Sequence, residues 1–255
     1  MGVGRVRPIV RDLAPYRPGK GARQAEAEHG ITDAIKLASN ENPYSPPPSV
    51  QRAIQDAAAG VNRYSDHGAV ELRSKLADWL GVDSGCVAVG CGSSGLLQQV
   101  CVAYIEPGDE VIVPPYTMSA TAMAPLVYGA IPVFADIEED TFCLDPVQVR
   151  RMVGVKTRAI LAVNLFGHPA RLHELRALAD EKGLLLIEDN AQAPLATEFD
   201  RYAGTVGHIG VFSLNRHKHI QTGEGGICTT DDADLALRLR LIRNHGENLV
   251  DHYEF

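Results

Sequence analysis

The sequence has no excess of positive charge. Its 24 Lys and Arg residues stand against 32 Asp and Glu, a formal net charge of −8 over 255 residues. Binding a phosphate backbone wants a basic surface, so nucleic acid is not expected as the main partner. Paired-cysteine motifs are missing as well. Cys86, Cys91, Cys101, Cys143 and Cys228 contain no CxxC and leave an odd residue over. That argues against a disulfide or zinc framework and for reduced thiols in the cytoplasm. There is no N-terminal apolar segment of the signal-peptide kind and no apolar run of 18 residues, so neither secretion nor a membrane partner is expected. The nine histidines form no HExxH or similar spacing, so no metal is expected. A Gly-x-Ser-x-Gly elbow and a P-loop are absent too, which removes two common routes to hydrolase and nucleotidase chemistry. No internal repeat or long low-complexity tract interrupts the chain.

What the chain does have is an ordinary globular content of hydrophobic residues, 45%, and a clear change of pattern along its length. Residues 1–36 are mixed and polar and read as a flexible N-terminal arm. Residues 37–86 open with a proline-rich extended piece at 37–48 and continue with helical periodicity over 49–59 and 70–80. From residue 87 the pattern alternates. Strand-like runs fall at 86–89, 110–113, 131–136, 159–163, 184–189, 208–214 and 226–230, with helical stretches at 94–105, 119–128, 145–153, 172–182 and 232–243. Apolar strands alternating with helices predict a three-layer α/β/α architecture around a mostly parallel seven-stranded sheet. Residues 87–255 would form one large domain, with its active site at the carboxyl ends of the strands. The chain stops soon after a helix, at Asp251-His252-Tyr253-Glu254-Phe255, which reads as a missing C-terminal part.

The polar residues that follow these runs carry the chemistry. Lys218 lies in Ser213-Leu214-Asn215-Arg216-His217-Lys218-His219, ahead of the turn Thr222-Gly223-Glu224-Gly225-Gly226. On its own it reads as a solvated surface lysine. Its cationic neighbours Arg216, His217 and His219 would favour a neutral, nucleophilic amine, and the glycines would let backbone approach a bound group. Asp189 closes the apolar run Leu184-Leu185-Leu186-Ile187-Glu188-Asp189. A carboxylate there is costly without a cationic partner, such as a protonated pyridine nitrogen, although a helix cap or turn is the alternative. Gly92-Ser93-Ser94 sits between a strand and a helix, where N–H groups and the helix dipole would face a phosphate; a simple serine cap explains it as well. A lysine amine and a strand-end carboxylate are the two groups that pyridoxal-phosphate chemistry needs most.

Together these pieces resemble the DegT/StrS family of pyridoxal-phosphate sugar aminotransferases, of the aspartate aminotransferase (type I) fold. The resemblance covers roughly residues 87–250. It is carried by Gly92-Ser93-Ser94, Pro107-Gly108-Asp109-Glu110-Val111-Ile112-Val113-Pro114, Gly129-Ala130-Ile131-Pro132-Val133-Phe134-Ala135-Asp136, Glu188-Asp189-Asn190-Ala191-Gln192-Ala193, Gly210-Val211-Phe212-Ser213, Lys218 with Thr222-Gly223-Glu224-Gly225-Gly226, and Arg243-Asn244-His245-Gly246. The likeness implies that Lys218 is the Schiff-base lysine and proton shuttle, that Asp189 pairs with the pyridine nitrogen, and that Gln192 lies near the ring's phenolic oxygen. Ser213 with Gly92, Ser93 and Ser94 would hold the phosphate. Members with histidine at the lysine position perform dehydration, so Lys218 implies amino transfer. The substrates implied are a keto sugar nucleotide or keto cyclitol, with glutamate or glutamine as amino donor, in a homodimer. The resemblance also implies a C-terminal small domain, which would follow Phe255.

Two departures keep alternatives open. An aromatic residue usually stacks on the ring where this chain has Met118, and Tyr116 is the other candidate for that role. Residues 37–48 and Asn62-Arg63-Tyr64-Ser65-Asp66 look more like histidinol-phosphate aminotransferases, in which the tyrosine reaches the partner subunit's cofactor. A phosphorylated ketone as acceptor, or a catalytically silent cofactor-binding protein, are the competing readings.

Overall fold

The computed structural model describes residues 8–11, 13–14, 19–37, 39–66 and 68–243. The chain divides into two units, residues 1–41 and 42–255. The smaller carries α1 (Pro8–Arg11) and α2 (Ala22–His29), the latter ended by Gly30 at φ 63°. No residue of α2 is buried, and the unit is tied by polar contacts. Gln24 donates to Glu28 at 2.9 Å, Lys36 pairs with Glu41 at 2.7 Å, and Glu26 accepts the Ala34 N–H at 2.9 Å. This helix lies in the stretch read from sequence as an arm.

The larger unit opens with α3 (Pro48–Ala58) and α4 (Val70–Leu80). It then alternates through β1 (Val87–Gly90), α5 (Ser93–Tyr104), β2 (Glu110–Val113), α6 (Ala120–Val127), β3 (Ile131–Phe134), α7 (Pro146–Met152), β4 (Thr157–Val163), α8 (Leu172–Lys182) and β5 (Leu185–Asp189). A small hairpin follows, β6 (Thr197–Glu198) and β7 (Arg201–Tyr202), then β8 (Ile209–Ser213), β9 (Gly226–Thr230) and α9 (Ala233–Arg243). Seven strands form one sheet in the order β1-β9-β8-β5-β4-β2-β3. β9 alone runs against its neighbours, so β1 and the other five strands point the same way.

Burial follows the order of the strands. β8 and β9 are buried along their whole length, and β4 and β5 nearly so, because helices cover both faces of the sheet there. The edge strand β3 leaves Ile131 and Phe134 about half exposed and tolerates Pro132, which offers no N–H to a further strand. Ile112, Ile160, Leu161, Leu186, Ile187 and Ile209 form the centre of the core. α4 packs through Ala77 and Leu80 on a second cluster with Val87, Phe212 and Ile227.

The read and observed elements agree to within two residues, the largest differences being that β3 ends at Phe134 and β4 begins at Thr157. The hairpin of β6 and β7 is too short to leave any periodic signal. Asn244, His245 and Gly246 of the resemblance, and the terminal run Asp251–Phe255, lie outside the described residues.

Candidate functional site

Because six strands point the same way, their carboxyl ends share one edge of the sheet, and three of them deliver candidate residues there. β5 ends at Asp189, β8 ends at Ser213, and β1 leads into Gly92 and the first turn of α5.

Successive side chains on a strand face opposite ways, which splits the polar end of β5 into two. Glu188 and Asn190 face one side. The fully buried Glu188 carboxylate accepts the N–H groups of Gly204, Val206 and Gly207, and a longer bond from the Asn164 amide at 3.4 Å. Asn164 also donates to Asn190 at 2.6 Å and accepts the Ala170 N–H at 2.8 Å. Burial pushes the Glu188 carboxyl up, and these donors pull it back. None of the four offers a lone pair to a carboxyl proton, so the surroundings are shaped for the ionised form.

Asp189 faces the other way and is 6% exposed. Oδ1 accepts the Ala191 N–H at 3.0 Å, and Oδ2 accepts the Thr121 hydroxyl at 3.3 Å. Thr121 in turn contacts the Thr117 hydroxyl at 2.9 Å. Burial is the largest influence on Asp189 and raises its pKa; the Ala191 N–H, the Lys218 charge and the Thr121 hydroxyl all oppose it. The two bonds leave carboxylate lone pairs free for another donor.

Lys218 is half-buried in the loop between β8 and β9. Burial lowers its pKa, and the Asp189 charge opposes that shift. The flanking cations expected from sequence to do this do not contribute; desolvation does the work. Asn215 is the hub of the loop. Its carbonyl accepts the Lys218 N–H at 2.9 Å, its side chain accepts the His217 N–H at 3.1 Å, and its amide donates to Glu224 at 2.6 Å. Leu214 and Arg216 donate across to Gly225 and Gly223, both at 2.8 Å. The lysine thus rides on a braced loop.

The third component is the turn before α5. Strand register sets Gly90, Gly226 and Ser213 side by side across β1, β9 and β8. With strands spaced by about 4.8 Å, Ser213 and Gly90 lie about 10 Å apart. A Cβ on Gly226 would fall 2.7 Å from the Gly92 carbonyl carbon, so the turn rests directly on the start of β9. Gly92 itself has φ 101°, a conformation that side chains rarely adopt. Ser93 is buried and Ser94 exposed at the start of α5, where the first N–H groups have no partner within the helix. The buried Ser213 hydroxyl accepts only a long bond, 3.4 Å, from the Asn215 N–H. Donors of this kind on one strand edge suit a phosphate monoester. A buried acceptor-only carboxylate opposite a half-buried amine suits a protonated pyridine ring bearing an aldehyde.

The remaining expected residues are less closely joined to this group. Gln192 follows β5, and its side-chain oxygen accepts the Phe166 N–H at 2.9 Å. Met118 is 65% exposed. The Tyr116 ring lies against Phe142, centroids 5.7 Å apart, and edge-on to Phe166 at 6.2 Å. Tyr64 is 93% exposed. Sequence reasoning missed Thr117, Thr121, Asn164, Glu188 and Asn215. No local pattern marks a threonine on α6 as the partner of a carboxylate 68 residues away. Glu188 could have been suspected, as an ionisable residue inside an apolar run.

Residues 51–254 match the DegT/DnrJ/EryC1/StrS aminotransferase family. The chain belongs to this family. Among relatives, it is 39% identical over 186 residues to UDP-N-acetyl-3-dehydro-alpha-D-glucosamine 3-aminotransferase of Acidithiobacillus ferrooxidans, covering 72% of this chain and 50% of that protein. It is 36% identical over 197 residues to the L-glutamine:2-deoxy-scyllo-inosose aminotransferase of Streptomyces kanamyceticus, covering 77% of this chain and 46% of that one. Among solved structures, GDP-4-keto-6-deoxy-D-mannose-3-dehydratase of E. coli with bound hydrated PLP superposes with a TM-score of 0.73 at 28% identity, over 83% of this chain and 56% of that one. The fold is therefore that of the type I pyridoxal-phosphate transferases. The chain spans about half the length of the curated relatives it matches.

Proposed function

We propose that this member of the DegT/DnrJ/EryC1/StrS family is the cofactor-binding part of a pyridoxal-phosphate-dependent aminotransferase. It moves an amino group from glutamate or glutamine to a keto sugar nucleotide or keto cyclitol. The observation that carries this reading is the meeting of a half-buried Lys218, its pKa lowered by burial, with a buried Asp189 that keeps free lone pairs. The names of the relatives support the substrate class, and the dehydratase with bound PLP supports the cofactor.

Pyridoxal phosphate, when bound, supplies the electron sink that makes the proton next to the amino nitrogen labile. The residues of this chain divide the remaining work. Asp189 would be the anionic partner of a pyridinium N–H and would keep that nitrogen protonated. The N–H groups of the Gly92–Ser94 turn and the Ser213 hydroxyl hold the phosphate. Gln192 has its oxygen committed to Phe166, so its amide N–H groups are the ones left to meet the phenolic oxygen. Met118 would pack its thioether on the ring face, with Tyr116 engaged by Phe142 and Phe166. Lys218 would hold the aldehyde carbon of the cofactor, and its amine would be the base that moves the proton next to the amino nitrogen. The similarity to a dehydratase leaves the reaction type open, and Lys218 favours amino transfer. In the family, histidine at that position goes with dehydration, and an amine can bond the cofactor where an imidazole does not.

We further propose that the intact protein works in the cytoplasm as a homodimer, in keeping with the resemblance and with the free thiols of Cys86, Cys91, Cys101, Cys143 and Cys228. Borohydride reduction of cofactor-loaded protein, followed by peptide mapping, tests the central reading. A pyridoxyl label on Lys218, lost in Lys218→Ala, is expected, and glutamate or glutamine should convert the bound aldehyde to amine. Protein that takes up cofactor without labelling Lys218 refutes the assignment. Sedimentation of the intact protein tests the dimer.

A further inference from the structure

The Asp189 carboxylate is buried and has two hydrogen bonds, one of them to a helix that nothing in the motif reading connected with it. That bond comes from Thr121, which is fully buried in the first turn of α6. Behind it, at 2.9 Å, stands the part-buried Thr117 hydroxyl, where either oxygen is placed to donate. We propose that Thr117 and Thr121 form an oriented two-hydroxyl chain that fixes the Asp189 carboxylate in position and holds it ionised.

The direction of the chain follows from counting protons. A hydroxyl has one proton to donate, and an ionised carboxylate can only accept. Thr121 must therefore spend its proton on Asp189, and the Thr117–Thr121 contact is left with Thr117 as donor. A hydroxyl that accepts from behind is the stronger donor in front. A proton on Oδ2 would reverse the chain, with the acid donating to Thr121 and Thr121 to Thr117. The pair thus stabilises the anion more than the neutral acid, which either turns the chain round or accepts the Thr121 proton on an uncharged carbonyl oxygen, a weaker bond. The N-terminal end of α6 adds a favourable partial charge on the same side. Among the described residues, the charged side chain that acts on Asp189 is Lys218, from the loop between β8 and β9; Glu188 points to the other face of β5. Thr121 and Thr117 are positioning residues, since they act through Asp189. Their importance for amino transfer rests on the function proposed above. Their effect on the carboxylate does not.

The test starts with cofactor-free full-length protein carrying 13C-labelled aspartate carboxyls, with the Asp189 resonance identified by Asp189→Asn. Thr121→Val should raise the titration midpoint of Asp189 by about one pH unit, the tenfold effect of one lost charge-assisted hydrogen bond. Thr117→Val should raise it by a smaller amount, and Thr121→Ser should restore the wild-type midpoint. In loaded protein, Thr121→Val should weaken pyridoxal-phosphate binding about tenfold, by the same loss, while the borohydride label still maps to Lys218. A wild-type midpoint in a folded Thr121→Val protein overturns the proposal. Should that variant fail to fold, an unchanged midpoint in Thr117→Val overturns it instead. If no variant and no wild-type protein takes up cofactor, the proposed function fails, and the titration still decides the hydroxyl chain.

Discussion

Removing the Glu188 side chain should unravel the loop that follows β7 and cost the protein much of its stability. In Glu188→Ala the N–H groups of Gly204, Val206 and Gly207 lose their acceptor. Each orphaned buried donor costs about 1–3 kcal/mol, so three cost about 3–6 kcal/mol after allowing for some entry of water. That is a large part of a total folding free energy of about 5–15 kcal/mol. Glu188→Gln is the sharper variant. Its amide oxygen can replace Oε1, which accepts from Val206 and Gly207. Its amino group would then point at the Gly204 N–H and the Asn164 amide, donor against donor. About half the loss in Glu188→Ala is expected. Urea unfolding gives the global effect; with a slope of about 3 kcal/mol per M, Glu188→Ala should move the midpoint by more than about 1 M. Amide exchange at Val206 and Gly207 should accelerate together in both variants. The reasoning fails if Glu188→Ala shifts the midpoint by less than about 0.3 M, which is under about 1 kcal/mol on that slope.

Other consequences are open to direct measurement. His208 accepts the Leu186 N–H on Nδ1 at 2.9 Å and faces Asp180 through Nε2 at 3.1 Å. Burial lowers its pKa, aided by Arg176 and opposed by Asp231 and Asp180. The unfolded chain therefore takes up this proton as pH falls through about 6.5, before the folded chain does, and stability drops across that window. His208→Asn keeps an acceptor for Leu186 without titrating, so urea midpoints at pH 7.5 and 5.5 should lie closer together than in the wild type; an equal gap refutes the assignment. Gly226→Ala puts a methyl 2.7 Å from the Gly92 carbonyl carbon, so it should cost about 1–3 kcal/mol by overpacking and weaken binding of inorganic phosphate and cofactor alike. Wild-type phosphate affinity in that variant would separate the turn from the site. Burial pushes the Cys101 thiol up to about 11 and the Cys228 thiol up to about 12, while Cys91 is exposed. A thiol reagent at neutral pH should modify Cys91 in the folded protein and reach Cys101 and Cys228 only after denaturation.

The alternation of elements was legible in the sequence because it is a local property. Each central strand is an apolar run such as Leu184–Ile187, whose length and bounding polar residues distinguish it from the helical periods on either side. Asp189 and Lys218 stood out as candidates for the same reason, since each interrupts a local pattern at a strand end or a glycine-rich turn. The braced loop around Lys218 was less so. Asn215 gives no sign in the sequence of gathering the Lys218 and His217 N–H groups and the Glu224 carboxylate.

The sequence by itself determined the order of strands and helices along the chain and the family, and it marked Asp189 and Lys218 as candidates. Only the tertiary structure decided what those groups feel. It made burial, rather than neighbouring cations, the reason that Lys218 holds its proton less tightly. It brought Thr121 onto Asp189, Gly204 to Gly207 around Glu188, and Ser213 level with Gly90 across β9. Hydrogen bonds and desolvation depend on which surfaces the packed sheet brings together, and residues far apart in the chain carry no periodic mark of that meeting.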